Sequence, residues 1–325
     1  MSEFRARPTA IVAAVIGLFI ATAVIGYFNF GAVLAAIRPI GLWDFLVIVI
    51  AQISLFVPLG LAWWLVAPKG AGPPVFIWGR LMREAASDVL PFSQLGGVVI
   101  ATRAAVLGGA GVADAIGSCI IDITAEMVGQ MIYTLFGVAL LIRQLGLAAR
   151  YDRLLFPLLG GLVLAGVMVG GFIVTQRRGL GLIEPHIQRF FPSAAQHAAA
   201  VAKVMETAHG KPLRLWASLG LHVASWFGAA LGTWLILRFI DHPLPFLSVV
   251  AIESLLFAIR NAAFVVPSGL GVQEGAYALL GPLFGLPADA ALALSLIKRA
   301  RDIAIGVPML LGWQFAEGRR PMREV

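Results

Sequence analysis

The sequence predicts an all-α polytopic integral membrane protein, with about six full spans plus two re-entrant or broken helical hairpins. Three observations carry that prediction. Hydrophobic residues make up 60% of the 325 positions and charged residues only 13%, with a mean hydropathy of +0.91; a soluble core does not hide that much apolar surface. Several apolar runs approach the roughly 20 residues that a helix needs to cross a bilayer. Those runs are continuous rather than alternating, which sets a transmembrane β-barrel aside.

Taken in order, the first run follows "MSEFRARP". It has the plan of a signal peptide, but its apolar segment is long and no convincing cleavage site follows, so it reads as a retained first span over 9–28. Further spans are predicted at 42–66, 111–142, 154–175, 213–238 and 288–316. Two other segments, 74–109 and 244–285, are apolar but broken. Pro91, Gly96 and Gly97 interrupt the first, in "DVLPFSQLGGVV"; Pro267, Gly269 and Gly271 interrupt the second, in "FVVPSGLGVQEGAY". Backbone groups freed by such breaks are tolerated at membrane depth only when buried in protein or beside water, and paired breaks are the usual pointer to a transport site.

The two broken regions resemble each other. A shift of 175 aligns Ser93 with Ser268, Gly96 with Gly271, and Ala113-Asp114-Ala115 with Ala288-Asp289-Ala290. The chain thus reads as a single membrane domain, 1–325, with internal repeats at about 41–143 and 213–317. Basic residues orient it. Arg5 and Arg7 hold the N-terminus in the cytoplasm, Arg319, Arg320 and Arg323 hold the C-terminus there, and 176–212 becomes a basic cytoplasmic loop. Six spans with two re-entrant hairpins satisfy all three constraints and make the repeats inverted. Arg143, Arg150 and Arg153 fit less well, since they would lie outside.

Charges inside the apolar runs are the candidate functional residues, because each costs about 2.5–3.5 kcal/mol at a helix centre on insertion scales. Asp122 and Glu126 are four apart and share a helix face, as do Lys298 and Asp302, with Arg301 beside them. The 175 shift sets Glu126 opposite Arg301, so an acidic stripe is expected to face a basic one. Lys298, Arg299 and Arg301 outnumber Asp302, and a surplus of cations in a cavity suits an anionic headgroup, phosphate above all. Arg83, Arg103 and Arg260 flank the breaks and join this headgroup set; Glu253 and Glu274, with Asp122, Glu126 and Asp302, are charge partners, Glu274 doubling as a titrating coupling group.

Other features are structural. Cys119 reads as a packing residue, the eight tryptophans mostly as interfacial anchors, His222 as a helix-packing group, and 193–208 as a helix on the cytoplasmic surface. His186, His197 and His209 lack metal-site spacing, and no P-loop, HExxH or GxSxG motif is present. No cofactor, no metal and no nucleic-acid partner is expected, since the +7 charge lies beside membrane segments, where it marks topology and anionic-lipid contacts.

The stretches "REAASDVLPFSQLGG", "IDITAEMVGQ", "VVPSGLGVQEGAYALLG" and "LALSLIKRARDIAIGVPMLLGWQ" resemble the lysylphosphatidylglycerol-synthase transmembrane-region (flippase-like) superfamily, and within it the hopanoid-biosynthesis-associated branch. The resemblance implies a bacterial inner-membrane protein with membrane lipids, anionic phospholipid or hopanoid, as partners, along with hopanoid-biosynthesis proteins. No aminoacyl-transferase domain is expected after the last span, so the resemblance carries no expectation of lysyl-lipid synthesis, and no residue reads as a hopanoid pocket. The leading expectation is a non-enzymatic lipid translocase. Two other readings stand beside it: a scaffold for hopanoid-modifying enzymes, acting through 176–212, and a lipid headgroup transferase or hydrolase using Asp114, Asp122 and Glu126.

Overall fold

A computed structural model describes residues 38, 40–89, 93–145, 192–262 and 271–318, with scattered helical positions between 160 and 174. The spans expected at 9–28 and, for the most part, 154–175 lie outside the described residues, as do Pro91, Pro267 and Gly269. Nine α-helices occur among the described residues: α1 (Gly41–Val66), α2 (Pro73–Val89), α3 (Ser93–Leu107), α4 (Val112–Leu145), α5 (Pro192–His209), α6 (Pro212–Phe239), α7 (Phe246–Ala262), α8 (Val272–Leu280) and α9 (Ala288–Gly318), with a 3₁₀ turn at Gly281–Phe284. The protein is an all-α polytopic membrane protein.

Helices α1, α4 and α6 are long and apolar enough to cross a membrane. Helix α9, at 31 residues, extends about 46 Å at 1.5 Å per residue and is long enough as well, its central charges notwithstanding. Helices α2, α3 and α7, of 17, 15 and 17 residues, reach only about 22–25 Å, short of the roughly 30 Å hydrocarbon layer. Pro58 and Pro308 sit inside α1 and α9 without ending them.

Helix α1 packs on α6. Helix α2 lies against α1, α3 and α9, and α7 lies against α6, α8 and α4. Exchanging α1 with α6, α2 with α7, α3 with α8 and α4 with α9 carries every substantial contact among these eight helices into another. Small residues permit the close approaches. At Gly60 an added Cβ would stand 2.3 Å from the Ile77 Cα, and at Gly97 it would stand 2.3 Å from Ser87 Oγ, so glycine is what lets α2 seat against α1 and α3.

One local expectation changes. Trp63 is fully buried rather than interfacial: its indole donates to Ser118 Oγ at 2.9 Å and meets Phe76 edge-on. Trp43 and Trp216, 79% and 69% exposed, do lie on the outer surface as interfacial anchors would. The helix expected at 193–208 forms as α5 and is seated on α4 and α6 through Val204, Met205 and Ala208, with Val204 in the space left by Gly117.

Candidate functional site

Two clusters of buried charge are built between the short helices and the long ones. In the first, α2 supplies cations and α4 anions. Arg80, 2% exposed, forks onto Glu126 with Nη1–Oε2 and Nη2–Oε1 distances of 2.9 and 2.5 Å. The same guanidinium reaches Glu84 at 2.9 Å, one turn along α2, and Asp122 at 3.4 Å. Arg83 Nη1 stands 2.8 Å from Glu126 Oε2, a charge contact without hydrogen-bond geometry, and 3.8 Å from Asp122. From α6, His222 Nε2 lies 2.9 Å from Asp122 Oδ1. A planar, always-charged guanidinium with several donors suits this shared position better than an ammonium would.

The second cluster reverses the signs. Helices α7 and α8 supply anions and α9 cations. Lys298 Nζ donates to Glu253 Oε2 and to Tyr277 Oη, each at 2.7 Å, and to Thr233 Oγ1 at 3.3 Å. Tyr277 in turn donates to Glu253, whose carboxylate is fully buried. One residue on, Arg299 forks onto Glu274 at 2.5 and 2.9 Å. Glu274 also accepts from the Gly271 backbone N–H at 2.9 Å and from Ser295 Oγ at 3.2 Å. Gly271, at φ +75°, adopts the left-handed backbone that begins α8 and aims its N–H at that carboxylate. Arg301 binds the adjacent Asp302 through Nε and Nη2 at 2.9 and 2.7 Å.

A set of charges joins the clusters. Asp88, in the last turn of α2, interacts electrostatically with Glu84 on its own helix, with Arg301 and Asp302 on α9, and with Arg260 near the end of α7. Charged groups therefore follow one another from Asp122 and Glu126, through the polar stripe of α2, to α9, Glu253 and Glu274.

This arrangement revises the expected one. The acidic stripe of α4 does not face the basic stripe of α9; α4 packs on α7 and α9 on α2, so each stripe is answered by a short helix. Nor do Lys298, Arg299 and Arg301 share one aspartate, because folding brings Glu253 and Glu274 to the first two. Arg103 lies on the exposed side of α3. Asp114, two turns before Asp122 on α4, is about 12 Å away along the axis, too far for one catalytic carboxylate set. Sequence reasoning missed Arg80, although Arg80, Arg83, Glu84, Ser87 and Asp88 recur at three- and four-residue spacing and mark one polar face of α2. It also missed Tyr277 and Thr233, which carry no charge to draw notice.

Fold and site together define a polytopic α-helical membrane protein with a polar path of charges inside its bundle. The chain belongs to the family described as the lysylphosphatidylglycerol synthase TM region, whose sequence model matches residues 12–312. It is thus a multi-pass membrane protein of a lipid-related family. No curated protein and no solved structure matches it significantly.

Proposed function

We propose that the protein is a lipid translocase of the flippase-like kind in the bacterial inner membrane, with both termini cytoplasmic. In this reading 41–143 and 213–317 are inverted repeats whose broken hairpins meet near the midplane. The contact pattern that maps onto itself when the two sets of four helices are exchanged supports that reading. The observation that carries the function is the run of charges across α4, α2, α9 and α7, ending beside the breaks after α2 and α7. Charges inside a membrane bundle are expensive, and they are kept where a polar substrate passes. A headgroup would move along this run while its apolar tail stays in lipid. Glu126, Glu253, Glu274 and Asp302 re-pair with the arginines and Lys298 when the path is empty. Hopanoid handling rests on the resemblance alone. The cationic surplus that favoured an anionic headgroup is cancelled by Glu253 and Glu274.

Leaflet-resolved movement of labelled phospholipids and a labelled hopanoid in proteoliposomes tests the proposal, with Glu126→Ala and Arg301→Ala beside the wild type. Protein-dependent movement that both substitutions abolish, in proteins that still elute as folded monodisperse particles, supports a translocase. Absence of movement for every lipid overturns it and favours a scaffold.

A further inference from the structure

Two members of the polar path stand out by what they lack. Among the described residues, Asp88 makes no ion pair and no side-chain hydrogen bond, although Arg260, Arg301, Asp302 and Glu84 surround it electrostatically. Arg260 has no carboxylate of the described residues within ion-pair distance; it donates one long hydrogen bond, 3.3 Å, to Gln273 Oε1 and stands 5.9 Å from the centroid of the Phe257 ring. By contrast, Arg80, Arg83, Lys298, Arg299 and Arg301 all hold carboxylates. Both residues are partly exposed. Asp88 is next to last in α2 and Arg260 is third from the end of α7.

Packing fixes where they stand. Gly306 of α9 abuts the last turn of α2, since a Cβ there would lie 2.4 Å from Val89 Cγ2 and 3.2 Å from the Ala85 carbonyl oxygen. Gly306 is one turn beyond Asp302, so Asp88 is held alongside the middle of α9. On the other flank Gln273, the partner of Arg260, donates to Ser295 Oγ of α9 at 2.9 Å. Among the described residues, one anion is thus left without an ion pair or hydrogen bond and one cation without a carboxylate, on either side of the same helix. Unpaired charge at membrane depth is costly unless a ligand or water completes it. A headgroup carrying a single negative charge would satisfy Arg260 and be repelled by Asp88. A headgroup carrying both signs would satisfy both.

We propose that Asp88 and Arg260 form a recognition pair for a zwitterionic phospholipid headgroup, the guanidinium taking the phosphate and the carboxylate taking the ammonium. The headgroup's route to the pair rests on the translocase reading, while its binding is measurable without transport. The probes are phosphatidylethanolamine and phosphatidylglycerol with identical acyl chains, titrated onto the purified full-length protein in detergent. Wild type should bind phosphatidylethanolamine about tenfold more tightly, as one added ion pair allows. Asp88→Asn should bring the two lipids to equal affinity, and Arg260→Gln should weaken both. Equal binding by the wild type, or discrimination that survives Asp88→Asn, overturns the pair, and the wild-type comparison decides even where a variant fails to fold. Free phosphoethanolamine that competes as well as the lipid overturns a lipid site. In proteoliposomes, selective binding without movement of either lipid would leave the pair standing and overturn the translocase. Phosphatidylglycerol moving as fast as phosphatidylethanolamine would do the reverse.

Discussion

The α2–α4 cluster and the α7–α8–α9 cluster follow one plan with the charges exchanged. In each, a short helix beside a break answers a long helix, but cations sit on the short helix in the first and on the long helix in the second. The comparison teaches that this packing requires opposite charges across the interface and does not care which side carries which. It also shows two ways of satisfying buried charge. The first cluster shares two arginines among three carboxylates. The second uses separate pairs, each completed by neutral donors or acceptors: Tyr277 and Thr233 for Lys298 and Glu253, Ser295 and Gly271 for Glu274.

That difference predicts unequal damage. Arg80→Ala removes the group that binds Glu126, Glu84 and Asp122 together and leaves the three carboxylates with Arg83 and with the hydrogen bond between His222 and Asp122. Breaking a buried pair by removing one partner costs about 3–5 kcal/mol, and this is the largest single loss expected in the molecule. Unfolding in mixed micelles with rising denaturing detergent measures it. A loss no greater than that of a surface arginine such as Arg143 would mean the shared network is already hydrated and the contrast between the clusters is false.

Lys298→Ala comes next. It leaves Glu253 fully buried, with Tyr277 as its remaining donor among the described residues, at a cost of about 3 kcal/mol. The double change Lys298→Leu with Glu253→Leu should recover most of that stability, because an apolar pair of similar volume often replaces a buried ion pair at little cost. Recovery of stability without recovery of lipid movement would assign the pair to function. If the double variant is no better than the single one, Tyr277 and Thr233 bind the cluster into one network whose members do not substitute independently.

Much of this was legible before folding. Continuous apolar runs marked α1, α4, α6 and α9. Of the residues read as breaks, Gly271 does begin α8, but Gly96 and Gly97 lie inside α3, where Gly97 serves its close approach to α2, and Pro91, Pro267 and Gly269 lie outside the described residues. The four-residue spacing of Asp122 and Glu126 fixed their shared face. What the sequence withheld was which helix answers which. Spacing along one helix says nothing of partners 42 to 46 positions away, such as Arg80 with Asp122 and Glu126, and the interleaving of α2 with α9 and of α7 with α4 emerges only in three dimensions. Arg80 was nevertheless findable, since three- and four-residue recurrence along α2 runs from it to Asp88.

The same interleaving gives a packing comparison. Gly137 on α4 faces α7, and an added Cβ would fall 1.6 Å from Ser254 Oγ and 2.7 Å from its Cβ; at Gly306, on the corresponding α9–α2 contact, the first obstacle is a Val89 methyl at 2.4 Å. Gly137→Ala should therefore cost about 2–3 kcal/mol and Gly306→Ala about 1, because a valine methyl turns aside more readily than a whole side chain at overlap distance. Ser254→Ala in the Gly137→Ala background should return part of the loss by removing the hydroxyl. Equal costs at the two glycines would show that the two contacts are matched in tightness as well as in topology.

The smallest effect is expected at Arg299. Its partner Glu274 is 24% exposed at the side chain and keeps two other hydrogen bonds, from the Gly271 backbone and from Ser295, when the guanidinium is removed. Water reaches a carboxylate so placed, and a partly solvated pair contributes far less than a buried one. Arg299→Ala should cost about 1 kcal/mol, most of it lost hydrogen bonding. The same unfolding series that ranks Arg80 and Lys298 checks this. A loss as large as that of Arg80→Ala would mean that Glu274 is sealed from solvent and that its pair with Arg299 belongs with the fully buried ones.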